Sequence, residues 1–297
     1  MTTPELLAVG ETMAMLAPLD GEPLAEAEGF RLDAGGAESN VAAHAAALGI
    51  TAAWFSRVGD DALGRRIVRQ LGERGVDVSS VVVDSRHPTG LYVKEPGHGV
   101  VYYRSGSAAS RLSSGDLDLV PLAGVAILHV SGITAAISET AHAFLEQLIA
   151  RARSAGTTVS FDVNHRAALW GADTAGPALD ALARRCDVVF VGRDEAETLW
   201  GTTTAASVRA RFPEVPELVV KDGELGATAF TAEGETFEPS EVVDVVDVVG
   251  AGDAFAGGYL AGRLSAIPVR ARLRAGHRRA ALTLSTTGDS VDERMRA

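Results

Sequence analysis

Apolar and polar residues fall into two kinds of segment along this chain. Leu6-Leu7-Ala8-Val9 is a short apolar run closed by Gly10, which has the length of a buried strand rather than of a solvated helix. The Ala-rich stretch from Asn40 to Leu48 has helical propensity, and Gly49 stands where a left-handed carboxy-terminal cap is wanted. Ala52 to Phe55 then predicts a strand and Leu63 to Arg74 a helix closed by Gly75. The same alternation returns later, with Ala126 to Val130, Thr158 to Asp162 and Asp187 to Val191 as strands and Glu139 to Ala155 as a helix. Strand and helix in turn predict an α/β fold with a doubly wound, mostly parallel sheet.

One stretch breaks the alternation. Between Thr89 and Arg104, Leu91, Val93, Val100, Val101, Tyr102 and Tyr103 sit in two short β-rich runs around Pro96-Gly97-His98-Gly99, which predicts a hairpin with no helix. Pairing it with the extended residues from Glu11 to Pro18 would make a small flap beside the main sheet. Residues 1–297 therefore read as one domain, with a flap drawn from segments of about 11–34 and 84–112. No repeat, low-complexity tract or long linker interrupts it.

Composition narrows the partners. Lys and Arg number 27 against 39 Asp and Glu, a net charge of −12, so the overall field repels nucleic acid and anionic membranes. Any anionic ligand must be held by local chemistry. The single cysteine, Cys186, excludes an intrachain disulfide, nothing suggests a cysteine-based zinc site, and with no apolar run long enough for a signal or a span the chain is expected in the cytoplasm.

The strongest chemical signal is Val248-Val249-Gly250-Ala251-Gly252-Asp253-Ala254-Phe255-Ala256-Gly257-Gly258, which follows the β-like run Val242 to Val246. If Asp253 lies in the first turn of a helix running on through Tyr259 to Leu264, the amides of that turn form an anion site at a positive helix end. A carboxylate placed there can take a proton from an alcohol while the amides stabilise a transferring phosphoryl group. An aspartate in that position also reads as a helix cap and nothing more.

Gly250-Ala251-Gly252-Asp253-Ala254-Phe255 resembles the carboxy-terminal signature of ribokinase-like (PfkB family) carbohydrate kinases. A second signature of that family is matched by Ala34-Gly35-Gly36-Ala37-Glu38-Ser39-Asn40-Val41-Ala42, followed by Leu48-Gly49 and by Arg57-Val58-Gly59-Asp60-Asp61-Ala62-Leu63-Gly64. Glycines there let backbone approach a polyol, and Asn40 offers both donor and acceptor, although a glycine turn before a helix would look the same. Within the family the chain is most similar to 2-keto-3-deoxygluconate kinases, from about Gly10 to Gly288. Thr89-Gly90-Leu91-Tyr92 with Val101-Tyr102-Tyr103-Arg104, His129-Val130-Ser131-Gly132-Ile133, and Asp162-Val163-Asn164-His165-Arg166 carry that likeness.

The resemblance implies a ribokinase-like fold with a β-lid, and phosphorylation of the terminal (C6) hydroxyl of 2-keto-3-deoxygluconate or a close keto acid sugar by ATP with Mg²⁺. It implies Asp253 as general base, with Gly250, Ala251 and Gly252 as the anion hole. It assigns the sugar to Gly36, Asn40, Tyr92, Tyr102, Arg104, Ile133 and Arg166. Arg104 and Arg166 suit a carboxylate, since guanidinium groups bind carboxylates through paired charge-assisted bonds. Adjacent strand residues point oppositely, so either Tyr102 or Tyr103 faces the sugar. Asn164, Lys221, Gly223, Gly226 and Gly252 are assigned to the nucleotide, although Val219 to Ala227 also reads as an ordinary hairpin. No Gly-x-x-x-x-Gly-Lys-Ser/Thr run is present, which excludes a P-loop. Glu195 is expected near Mg²⁺ through water.

Two departures from the family pattern stand out. Gly192-Arg193-Asp194-Glu195 replaces Asn-x-x-Glu, and Asp247-Val248-Val249-Gly250 replaces Asp-Thr-Thr-Gly, which leaves a K⁺ site at Asp247 and any potassium requirement open. Self-association as a dimer or larger assembly is expected through the lid, because its apolar face needs cover. A fructokinase-like kinase and a catalytically silent sugar-binding regulator on the same fold are the competing expectations.

Overall fold

The structure is a computed structural model that describes residues 3–19, 21–95 and 99–285. The turn expected at Pro96-Gly97-His98 and the end of the resemblance at Gly288 lie outside the described residues.

Strands β1 (Leu6–Val9), β2 (Met13–Pro18) and β3 (Phe30–Gly35) lead into helix α1 (Ala37–Ala46). β4 (Ala52–Phe55) and β5 (Arg57–Gly59) precede α2 (Ala62–Glu73), after which come β6 (Val76–Asp77), β7 (Val82–Asp84), β8 (Leu91–Glu95) and β9 (Gly99–Tyr103). β10 (Ile127–Ser131) is followed by α3 (Gly132–Ala136) and α4 (Glu139–Ser154), then β11 (Thr158–Asp162), α5 (Ala172–Ala183), β12 (Val188–Gly192), α6 (Arg193–Trp200) and α7 (Ala205–Arg211). β13 (Glu217–Asp222), β14 (Gly226–Thr231) and β15 (Gly234–Pro239) run directly on from one another before α8 (Ala251–Leu264) and α9 (Val269–Leu284).

Nine strands form the central sheet in the order β15-β14-β13-β12-β11-β10-β1-β4-β6, parallel from β13 to β6 and antiparallel at the β13–β14–β15 edge. Its strands are apolar on both faces because helices cover both. Leu7 and Val9 join a core completed by α3 to α7, whereas Leu6 and Ala8 join one completed by α1, α2, α8 and α9. The period-two alternation of a strand sends successive residues of one apolar run to two different cores.

The hairpin sits in a separate sheet ordered β3-β2-β8-β9. β2 pairs antiparallel with β3 and parallel with β8, placing Met15 opposite both Asp33 and Tyr92, and β8 returns antiparallel as β9. Its cavity-facing side carries Met13, Met15 and Tyr92, and Val100 and Tyr102 pack against them.

Two expectations need correction. The run Val242 to Val246 forms no strand: β15 ends at Pro239, and Val242, Val243 and Val245 lie in an irregular segment where they line a cavity instead of a sheet. Helix α1 begins at Ala37, so Asn40 lies about one turn inside it rather than at its start. No helix among the described residues is long and apolar enough to cross a membrane.

Candidate active site

Parallel strands bring their carboxyl ends to one side of the sheet, and there the loops after β1, β10, β11 and β12 meet the amino ends of α1 and α8. The resulting cavity, of about 500 Å³, is roofed by the small sheet. Gly36, Asn40, Tyr92, Tyr102, Arg104, Ile133, Asn164, Arg166, Glu195, Lys221, Gly250, Gly252 and Asp253 all line it. Tyr102 faces the cavity and Tyr103 faces outward, as their alternation on β9 requires.

Asp253 stands in the first turn of α8. Gly250 at its amino cap has φ 84°, a left-handed conformation that a side chain would strain, and this lets the chain turn from the preceding loop straight into the helix. Amides at Gly252 and Asp253 lie in that first turn, where a helix offers them no carbonyl of its own. Asp253 is buried, and its two oxygens face two asparagine amides. Asn40 Nδ2 donates to Oδ2 at 2.9 Å, and Asn164 Nδ2 approaches Oδ1 at 3.5 Å. Burial pushes the Asp253 carboxyl up to about 7, against the opposing pull of the Asn40 hydrogen bond and the Arg166 charge. Asn164 itself holds φ 43°, a left-handed backbone that asparagine tolerates better than most residues.

Behind Asp253, Lys221 Nζ donates to Asp162 Oδ2 at 2.8 Å. Burial alone would lower the lysine pKa, but Asp162, Glu195 and Asp253 outweigh it, so the ammonium stays charged. Glu195 accepts from the backbone N–H of His165 and from that of Gly192 at 3.0 Å. Its carboxyl is raised, first by burial and then by the nearby Asp162. Asp162 Oδ1 is buried without a hydrogen-bond partner among the described residues.

A second cavity of about 660 Å³ adjoins the first and shares Lys221, Val248 and Gly252 with it. Gly223, Gly226 and Ala251 line this one, beside Leu225, Val242, Val243, Val245 and Ala280. The β13–β14 segment is thus both the hairpin that its glycines suggested and a cavity wall. Asp247 lines neither cavity: its Oδ2 is held by Lys94 at 2.6 Å and its Oδ1 by the Val249 N–H at 3.0 Å.

Three carboxylates that line the cavity, Glu11, Asp162 and Asp194, escaped sequence reasoning. Glu11, directly after the β1 turn, is buried in the cavity wall and accepts from Arg104 and, at 2.5 Å, from Ser107 Oγ. Asp162 and Asp194 lie in the segments Asp162 to Arg166 and Gly192 to Glu195, where only their neighbours were expected to act. An acid at the carboxyl end of a buried parallel strand was the available signal for Asp162, and one just beyond such an end for Glu11.

Oxygen donors of this kind suit Mg²⁺, and the unpartnered Asp162 Oδ1 beside Glu195 is where the protein has oxygen to offer it. No group of three or more His, Cys, Asp or Glu able to hold a metal occurs among the described residues.

The chain is 37% identical over 296 residues to the 2-dehydro-3-deoxygluconokinase of Bacillus subtilis, covering 96% of this chain and 91% of that protein. It is 34% identical to the 2-dehydro-3-deoxygalactonokinase of Haloferax volcanii, covering 97% and 93%. A solved 2-dehydro-3-deoxygluconokinase structure from Thermotoga maritima superposes with a TM-score of 0.90 at 26% identity, over 98% of this chain and 95% of that one. Residues 3–294 match the pfkB family carbohydrate kinase, and the chain belongs to that family.

Proposed function

We propose that this kinase transfers the γ-phosphoryl group of ATP to the terminal (C6) hydroxyl of 2-keto-3-deoxygluconate or a close keto acid sugar, with Asp253 as general base. One observation carries the reading: a buried carboxylate with a pKa near 7, at the positive end of α8, faces a cavity that also holds Arg104 and Arg166. The two relatives named above act, by name, on keto acid sugars, and in this chain both arginines line the same cavity as Asp253.

In this mechanism Asn40 orients Asp253, whose carboxylate accepts the hydroxyl proton as the oxygen attacks phosphorus. Gly250, Ala251 and Gly252 supply the turn whose amides face the transferring group, and Lys221 adds a fixed positive charge on the same side. The purine and ribose take the apolar cavity along Gly223, Gly226 and the Val242 to Val245 segment. Asn164 sits between the two ligands. Mg²⁺, when bound, neutralises the ATP phosphates, and Asp162 and Glu195 would hold its waters.

Tyr92, Tyr102 and Arg104 reach the sugar from the small sheet, which acts as a lid excluding water from the reacting group. The lid segments of about 11–34 and 84–112 belong to the same single domain as the kinase core. The outward side of the lid leaves Phe30, Val101 and Tyr103 exposed, and we assign its cover to a second copy of the chain, since both free edges and this face belong to one sheet that can meet itself. A cytoplasmic location fits the single buried Cys186.

ADP release measured with keto acid sugars, fructose and other neutral sugars tests the reading. Preference for the keto acids supports it. Preference for a neutral hexose makes the protein fructokinase-like, and binding without turnover makes it a sugar-binding regulator.

A further inference from the structure

The segment Arg57 to Gly64 is conspicuous in the sequence, yet none of its residues lines the cavity. Its geometry converges on one residue of the lid base. Asp61 caps α2, with Oδ1 accepting from Gly64 N at 2.8 Å. The same carboxylate holds Thr89 twice, through Thr89 N to Oδ2 at 2.8 Å and Thr89 Oγ1 to Oδ1 at 2.9 Å. Gly59 N donates back to Thr89 Oγ1 at 2.9 Å, so the hydroxyl is fixed as donor and acceptor together.

The two glycines exist for this contact. A Cβ on Gly59 would lie 2.4 Å from Asp61 Oδ2 and 2.6 Å from Thr89 N, and one on Gly64 would lie 2.3 Å from Gly59 O and 2.9 Å from Thr89 Oγ1. Burial would raise the Asp61 carboxyl, but the N–H groups of Thr89 and Gly64 and the Thr89 hydroxyl hold it below its ordinary value. Thr89 is buried, and β8 begins two residues later at Leu91, followed by Tyr92 on the cavity. Ala108 N donates to Pro88 O at 2.8 Å, joining the returning end of the lid to the same point.

We propose that Asp61 is a positioning residue for the phosphotransfer reaction, clamping Thr89 so that the lid strand β8 presents Tyr92 to the sugar. A helix cap needs only one oxygen; the second oxygen and both hydrogen bonds of the Thr89 hydroxyl serve the lid. The clamp rests on the reading of the small sheet as a sugar-covering lid.

Asp61→Ser separates the two duties, because serine caps a helix as well as aspartate but is too short to reach Thr89 N. Michaelis constants for sugar and for ATP, together with hydrogen exchange of the β8 and β9 amides without ligand, form the test. The sugar KM should rise about tenfold, the effect of one lost charge-assisted hydrogen bond, with ATP KM unchanged and exchange in β8 and β9 faster. Thr89→Val should behave like Asp61→Ser, Thr89→Ser should keep wild-type values, and the double variant Asp61→Ser/Thr89→Val should be no worse than either single one. Additive losses, equal rises in both Michaelis constants, or unchanged exchange in β8 and β9 would overturn the clamp. If the wild type phosphorylates no keto acid, the substrate reading fails by itself, and exchange in β8 and β9 still decides the clamp.

Discussion

Arg104 and Glu11 form a buried ion pair in the wall of the cavity that Asp253 lines, whereas Arg166 has no carboxylate within ion-pair distance among the described residues and donates only to the His165 carbonyl at 3.1 Å. The two arginines that looked equivalent in sequence are therefore different. Arg104 brings donors but little net charge, and Arg166 brings charge that a substrate carboxylate can neutralise. Arg166→Ala should lower kcat/KM for the keto acid by about ten- to a hundredfold, matching roughly 1.5–3 kcal/mol for a hydrogen bond to a charged group. The ratio of keto acid to neutral-sugar efficiency is the measurement, and an unchanged ratio would move the carboxylate away from Arg166. Arg104→Ala should also lower folding stability, by on the order of 3 kcal/mol, because it strands Glu11 as a buried charge. Urea denaturation of the two variants distinguishes them.

Asp253 should impose an acid limb on the rate. As the proposed base it must be ionised, and burial raises its pKa to about 7, so kcat/KM should fall as pH drops through that value and level off above it. Asp253→Asn should reduce turnover by about 10²–10⁴-fold with ATP binding retained. Asn40→Ala offers the sharper control. Its side chain stabilises the ionised form, so losing it should move the limb to higher pH, and a limb that stays in place would show that another group sets it.

Glu195 takes backbone N–H groups on both carboxylate oxygens, and in the proposed mechanism it would serve Mg²⁺ as an acceptor of metal-bound water. Glu195→Gln keeps the shape and removes the charge. The Mg²⁺ concentration for half-maximal rate should rise while the sugar KM stays constant; a rise in sugar KM alone would place Glu195 on the other substrate.

Legibility in the sequence followed the physics of each element. β11 matched its predicted range residue for residue, and α2 and α4 came within a residue at each end, because apolar periodicity and glycine caps are local signals. The Val242 to Val246 run misled for a related reason: β-branched residues in sequence look alike whether they pair in a sheet or wall a cavity, and only the stop at Pro239 hinted at the difference. Asp253, its glycines and Asn40 were readable because a turn into a helix leaves a short signature. For Glu11 only its place just beyond β1 was readable; its pairing was not, since Arg104 comes from the far end of the lid and nothing local records that contact. The Asp61 carboxylate was hidden in the same way, since its partner Thr89 lies 28 residues along the chain.

The sequence leaves open whether Asp247 seats a monovalent cation. Asp247 reaches from the loop before α8 to Lys94 on β8 at 2.6 Å, and its other oxygen takes the Val249 N–H. A cation seated on Asp247 would have to displace a bound ammonium, and Val248 and Val249 offer no hydroxyl to help hold it. Turnover should therefore be the same in potassium, sodium and tetramethylammonium buffers at matched ionic strength. Lys94→Ala frees the carboxylate, and this variant should gain a dependence on potassium that the wild type lacks. Strong potassium activation of the wild type would mean that the ion binds without Asp247 or that the Lys94 pair opens during turnover, and a variant indifferent to all three ions would remove Asp247 from any cation site.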